Sequence, residues 1–244
     1  MSKLSTLLTS YQKELAEINA ELSTLPEGYL VKRKTAYYHA ANHKQVGITK
    51  NKELLQQLCR KKYLIARKAQ LENNMAASLP TDLDNRTPHQ LIVDLPKAYQ
   101  LVPISYFYHP AIETWQNKSA RKNQLYPEQA KYVHNNIAYR SLAERIVAEI
   151  LSENGLLFQY DLTFDIGHAQ VSPDFVIKNP FNNKTIICEY FGAFDQPTYG
   201  NSMNNKLDNY AKIGFIQDEN LISLYEYHIR EPERIQRIID QIVW

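Results

Sequence analysis

Two carboxylates stand in runs that otherwise have the character of buried strands. Asp174 follows Pro173 at the mouth of VSPDFVIK (171–178), and Glu189 sits inside TIICEYFG (185–192). A carboxylate taken out of water must recover its hydration from a metal, a partner charge or hydrogen bonds. Acids gathered at the end of a strand pair suit a hard cation such as Mg²⁺ (or Mn²⁺), which takes oxygen ligands and keeps several waters. Glu144 lies in a helical stretch ahead of them and Lys206 in one behind. Each residue also has a plainer reading. Ser141-Leu142-Ala143-Glu144 fits a capping box in which the glutamate bonds back to the backbone of Ser141. Asp174 after Pro173 fits strand-entry chemistry, and Lys206 fits a side chain snorkelling past apolar neighbours. Glu189 is the hardest to read this way, because a polar group inside an apolar run has a partner as a rule. His168, with Asp165 and Gln170 in the same loop, stands just ahead of the Asp174 strand and ranks below these four.

The elements that must position them follow from periodicity. Leu142, Ile146, Val147, Ile150 and Leu151 form the stripe of a helix over Ser141–Asn154, closed by Gly155. Strands are expected near Leu156–Leu162, Asp174–Lys178 and Thr185–Phe191, the last two joined by a turn at Asn182-Asn183. Tyr199 to Ile213 reads as a helix with Tyr199, Met203, Lys206, Tyr210 and Ile213 on one face. Leu221–Tyr225 reads as a strand. Pro232–Val243 closes the chain as a helix with Ile235, Ile238, Ile239 and Ile242 inward.

Upstream, Leu4, Leu8, Tyr11, Leu15, Ile18, Leu22 and Leu25 alternate spacings of four and three, the seam of a coiled coil. Leu25-Pro26-Glu27-Gly28 stops that helix. A small hairpin is expected over Tyr29–Ala40. A second long helix, about Lys50 to Met75, offers Leu54, Leu55, Leu58, Ile65, Ala69 and Leu71 to the first. The segment 79–136 is irregular and aromatic, with Tyr99, Tyr106, Phe107, Tyr108, Trp115, Tyr126 and Tyr132 suited to packing or to stacking on bases. The expected division is therefore an arm at 1–78, a connecting region at 79–136 and an α/β domain at 137–244.

The chain has 244 residues, 44% of them apolar, enough to bury a substantial core and too many for a disordered chain. Its two cysteines, Cys59 and Cys188, form no metal-binding pair, which fits a reduced cytoplasmic protein. No apolar run approaches the roughly 20 residues a membrane span needs, and no secretion signal is expected. Charge is informative only once located. Val31 to Gln70 holds eleven Lys and Arg against one acid, a formal +10, while the rest, with 17 basic and 25 acidic residues, carries −8. Such asymmetry suggests a segment facing a polyanion, with Lys32, Arg33, Lys34, Arg60, Lys61, Lys62, Arg67 and Lys68 as the nucleic-acid contacts. A solvated helix face gives the same pattern.

The order α-β-β-β-α-β-α, with Glu144, Pro173-Asp174 and Glu189 set in it, resembles the PD-(D/E)xK nuclease superfamily over about Tyr139 to Trp244. The resemblance implies an α/β fold with a restriction-endonuclease-like mixed sheet core, here joined to an N-terminal helical, coiled-coil-like arm carrying a small β-hairpin. It implies Asp174 on the second core strand and Glu189 on the third as metal ligands for Mg²⁺ (or Mn²⁺), with Glu144 as a catalytic group from the preceding helix. It also implies a lysine two residues past the second acid, where this chain has Phe191. Lys206 is the expected replacement; Lys178, on the face of Asp174 by strand alternation, and no catalytic lysine at all are the alternatives.

Three functions stay open from the sequence. The first is a metal-dependent nuclease hydrolysing phosphodiester bonds, with DNA the expected substrate. The second is a catalytically inactive nuclease fold that binds nucleic acid. The third is a coiled-coil interaction protein whose N-terminal seam pairs with another copy or another protein.

Overall fold

The computed structural model describes residues 3–77, 79–117, 129–167, 169–192 and 199–242. His168 and Tyr126 lie outside the described residues, as do the side chains of Leu4, Tyr199 and Ile242. Among the described residues the architecture is mixed α/β with small sheets and no barrel. The chain divides into two compact units, Met1–His109 and Pro110–Trp244. The division falls inside the 79–136 stretch.

In the first unit, helix α1 (Lys3–Leu22) presents the expected seam, with Ile18 buried and Leu8, Tyr11, Leu15 and Leu22 half-buried. Gly28 then turns the chain at φ 86°, where a Cβ would lie 2.2 Å from the Ala40 carbonyl oxygen, so only glycine fits. The expected hairpin is a three-stranded antiparallel meander: β1 (Tyr29–Arg33), β2 (Ala36–Ala41) and β3 (Lys44–Gly47). Strand β3 escapes sequence reading because KQVG is exposed at every position and shows no alternation. Helix α2 (Lys52–Ala76) opens on Asn51, whose side chain accepts the Leu54 N–H at 3.0 Å.

Helix α2 runs back antiparallel along α1, and its inward face departs from expectation. Leu55, Leu58 and Leu71 are buried, but Ile65 and Ala69 face solvent, and Cys59, Tyr63 and Leu64 take core places. Arg60 is buried as well, at 4% exposure. Short helices α3 (Pro88–Val93) and α4 (Lys97–Gln100) complete the unit. Tyr99 is buried with its hydroxyl accepting the Leu30 N–H at 2.8 Å, and Phe107 is fully buried, so these two aromatics pack rather than stack on a ligand.

In the second unit, α5 (Ala111–Asn117) and the hairpin β4 (Tyr132–His134)–β5 (Ile137–Tyr139) precede α6 (Leu142–Glu153). Strand β6 (Leu157–Tyr160) stops short of Leu162 because Asp161 takes a left-handed backbone, φ 60°. A second hairpin, β7 (Phe164–Ile166)–β8 (Ala169–Val171), intervenes before β9 (Phe175–Lys178) and β10 (Thr185–Phe191). Helix α7 (Tyr199–Lys212), β11 (Leu221–Tyr225), α8 (Glu226–Arg230) and α9 (Pro232–Ile242) complete the unit.

The main sheet has the order β11-β10-β9-β6, with β10 parallel to β11 and antiparallel to β9, and β9 antiparallel to β6. Alternation sorts its residues onto two faces. Tyr160, Phe175, Ile177, Ile186, Cys188, Ile222 and Leu224 pack with Val147 and Leu151 of α6 and Ile235 and Ile239 of α9. The exposed Leu142 is not part of that stripe. Val176, Ile187 and Leu221 turn the other way, onto Tyr210 of α7. That second face carries the site. No described helix is long and apolar enough to cross a membrane.

Candidate active site

Cys188 pairs with Phe175, so the next position along the antiparallel ladder sets Glu189 opposite Asp174. Both residues then fall on the α7 face. Instead of continuing the ladder through backbone carbonyls, each carboxylate accepts a backbone N–H from the neighbouring strand. The Asp174 N–H donates to Glu189 Oε2 at 3.2 Å, and the Tyr190 N–H donates to Asp174 Oδ2 at 2.8 Å. Glu189 is only 1% exposed. Its Oε2 also accepts the Tyr210 hydroxyl at 2.8 Å, and its Oε1 is bonded to the Lys206 ammonium. Hydrogen bonds to a charged group contribute about 1.5–3 kcal/mol each, so this set replaces the lost hydration. Lys206 reaches it from α7 because helical spacing puts it on the side of Tyr210, four residues on.

Asp174 is less well provided for. Its second oxygen, Oδ1, has the Arg140 Nη2 at 3.6 Å, beyond hydrogen-bond length. Burial first, then the nearby Glu189 and Glu144 charges, push its carboxyl well above the usual aspartate range; Lys206 pulls the other way. Among the described residues the carboxylates of Glu144, Asp161, Asp174 and Glu189 share this neighbourhood with the cations of Arg140 and Lys206.

Among the described residues no three His, Cys, Asp or Glu side chains converge as a protein-built metal cage would require. The donors at hand are the Asp174–Glu189 pair. Such a pair fits Mg²⁺, which is commonly held by one or two carboxylates with waters and substrate oxygens completing the shell. A divalent cation would offset the repulsion between these neighbouring acids, which raises the Asp174 carboxyl.

The other expected residues are placed as follows. Glu144, 8% exposed, makes half of the capping box: Ser141 Oγ accepts the Glu144 N–H at 3.1 Å. The return bond goes elsewhere, since Glu144 Oε2 accepts the Arg140 N–H at 3.0 Å and the Tyr160 hydroxyl at 2.6 Å. Phe191 is 2% exposed and stacked on Tyr225 with ring centroids 5.9 Å apart, so a core aromatic fills the place two residues past Glu189. Lys178 is tied to its own turn, Nζ to the Asn183 carbonyl at 2.9 Å. Asp165 and Gln170 bond each other across the β7–β8 hairpin at 3.0 Å.

The basic residues of the arm separate into two groups. Arg60 makes a two-pronged pair with Glu21, both bonds 2.7 Å, and donates to the Phe107 carbonyl at 3.0 Å. Arg67 does the same with Glu14 at 2.7 and 2.9 Å. Lys61 donates to the Pro26 carbonyl at 2.8 Å and Lys68 to Asn19 Oδ1 at 2.7 Å. These four hold α2 to α1 and its following turn, and Arg60 in particular cannot present its charge to a polyanion. Lys62 is half-buried. At the meander, Arg33 and Lys34 are exposed, while Lys32 is half-buried over the Tyr37 ring at 5.2 Å.

Sequence reasoning missed Arg140, Asp161, Tyr160 and Ser223. Ser223 pairs with Glu189 across the parallel strands, on the same face, and its buried Oγ has no hydrogen-bond partner among the described residues. None of the four carries a local signal, since each gains its place only when distant strands pair. Comparison of the chain with protein-family models, with curated proteins and with solved structures gave no match.

Proposed function

We propose that this chain is a metal-dependent nuclease that hydrolyses phosphodiester bonds, with DNA the expected substrate and Mg²⁺ (or Mn²⁺) the cofactor. The observation that carries the reading is the Asp174–Glu189 pair on adjacent strands, each carboxylate accepting a backbone N–H of the other strand, with the Lys206 ammonium on the second acid. With the inserted β7–β8 hairpin and the short α8 set aside, the succession α6, β6, β9, β10, α7, β11, α9 supports a restriction-endonuclease-like core, with Asp174 entering the second strand of the main sheet and Glu189 within the third.

In this reading Asp174 and Glu189 hold the cation. Bound there, Mg²⁺ supplies charge to offset that of the phosphate and lowers the pKa of an attached water. Lys206 orients the attacking water and supports its ionised form, the task a lysine at position 191 would have. Tyr210 fixes the Glu189 carboxylate through Oε2, while Oε1 carries the Lys206 ammonium, so that the lysine stands beside the acid that would hold the cation. The exposed Arg33 and Lys34 contact the phosphate backbone, which makes binding salt dependent and largely insensitive to base sequence.

The test is cleavage of a mixed DNA and RNA panel with Mg²⁺, Mn²⁺ or chelator. Wild type should cut only with metal, Asp174→Ala should not cut, and Lys206→Ala should lose about 10²- to 10⁴-fold in rate while keeping its fold. Cleavage by wild type in chelator would overturn the metal assignment, and no cleavage on any substrate would return the chain to the inactive binding module.

A further inference from the structure

Arg140 stands one residue before the cap of α6, and an unusual number of groups fix it. Its N–H is shared by Glu144 Oε2 at 3.0 Å and the Tyr160 hydroxyl at 3.2 Å, and that hydroxyl donates to the same Glu144 oxygen at 2.6 Å. Its guanidinium carbon lies 5.7 Å from the centroid of the Tyr160 ring. At the far end Nη2 donates to Asp161 Oδ1 at 3.2 Å and stops 3.6 Å from Asp174 Oδ1. Asp161 itself is 6% exposed and holds a left-handed φ of 60°, clamped there by its N–H on the Asp174 carbonyl at 2.9 Å. Aspartate is one of the few residues besides glycine that adopts a left-handed backbone readily.

These contacts use only part of the side chain. A guanidinium has five N–H donors, and among the described residues the side-chain hydrogen bonds of Arg140 run through Nη2 alone, while the side chain keeps 20% of its surface exposed. A fork of this shape matches two oxygens of a phosphate. Asp161 holds Nη2 off Asp174, so the guanidinium does not collapse into a closed pair with the metal-site acid.

We propose that Arg140 is the substrate-phosphate ligand of this site, contacting non-bridging oxygens of the phosphodiester next to the Asp174–Glu189 pair, and that Glu144 and Asp161 are positioning residues that hold it. The assignment deepens the nuclease reading and rests on it for the identity of the substrate. It also gives Glu144 a task other than metal ligation: both bonds to its Oε2 serve the backbone and the packing of Arg140.

The test is titration calorimetry of the full chain with inorganic phosphate in the presence of Mg²⁺. Arg140→Met should weaken phosphate binding at least about tenfold, the loss of one good charged contact. Arg140→Lys, which keeps charge and solubility but lacks the fork, should fall between. Asp161→Asn and Glu144→Gln should each weaken phosphate binding in the wild-type background and add nothing in Arg140→Met, since a positioning residue has nothing left to position; additive losses would mark them as merely structural. Phosphate bound by both Arg140 variants within about twofold of wild type overturns the proposal. The readout does not require turnover. A chain that cleaves nothing but binds phosphate through Arg140 would sink the nuclease reading and leave this assignment standing.

Discussion

Binding of Mg²⁺ should stabilise the second unit, and Asp174→Asn should abolish that response while raising the stability of the metal-free protein. The perturbation follows from the acids gathered around Asp174, whose mutual repulsion a divalent ion would offset. Folding raises the Asp174 carboxyl above its ordinary value of 3.8 through burial and the neighbouring acids. Its contribution to stability is therefore complete below that ordinary value and is lost as pH rises through the folded value. At neutral pH the metal-free protein carries this penalty, and asparagine removes it. A ligand at a hundred times its dissociation constant adds about 2.7 kcal/mol. For a domain of this size each kcal/mol moves the thermal midpoint by about 2–4 °C, so the expected rise is about 5–10 °C. The assay is scanning calorimetry in chelator and in saturating Mg²⁺, for both proteins. Because the ligands must be ionised, the Mg²⁺ response should also shrink as pH falls through the folded value. An equal Mg²⁺ shift in Asp174→Asn, or a metal-free variant less stable than wild type at mildly alkaline pH, refutes the reasoning.

Two further outcomes follow from the first unit. Arg60→Ala leaves Glu21 facing a partly buried void and the Phe107 carbonyl without its donor, so urea unfolding should show a loss of about 3 kcal/mol; a loss under about 1 kcal/mol would make the pair an ordinary surface one. Reversing Arg33 and Lys34 together to glutamate should lower the salt slope of duplex binding by about 0.9 for each phosphate contact removed, read by fluorescence anisotropy across ionic strength. An unchanged slope would place the contact surface away from the meander.

Much of this was legible in the sequence because it rests on short-range pattern. The seam of α1, the stripes of α6 and α9, the strands around Asp174 and Glu189 and the face of α7 with Lys206 and Tyr210 all repeat at helical or strand period. Illegible parts depend on partners far along the chain. Arg60 and Arg67 read as nucleic-acid contacts, or as a solvated basic face, since nothing local reveals Glu21 and Glu14, 39 and 53 positions away. Arg140 and Asp161 are likewise joined only after β6 docks on β9. Glu144 shows the mixed case: its cap to Ser141 is local and readable, while the tyrosine that takes its carboxylate is 16 residues distant.

The placing of Glu189 opposite Asp174 also sets which lengths of chain the protein tolerates. The two acids sit at the open end of one hairpin, and the turn that joins its strands, where Asn183 has φ 58°, lies at the opposite end. A residue added at that turn can loop out and leave the strands aligned. A single residue added between Thr185 and Cys188 cannot, because strand alternation would carry Glu189 through the sheet to the side occupied by Val147 and Ile235 and bring Cys188 opposite Asp174. Insertions and deletions drifting through a lineage of such chains should therefore accumulate at 179–184 and be purged from 185–189, a record written in sequence length and not in residue identity.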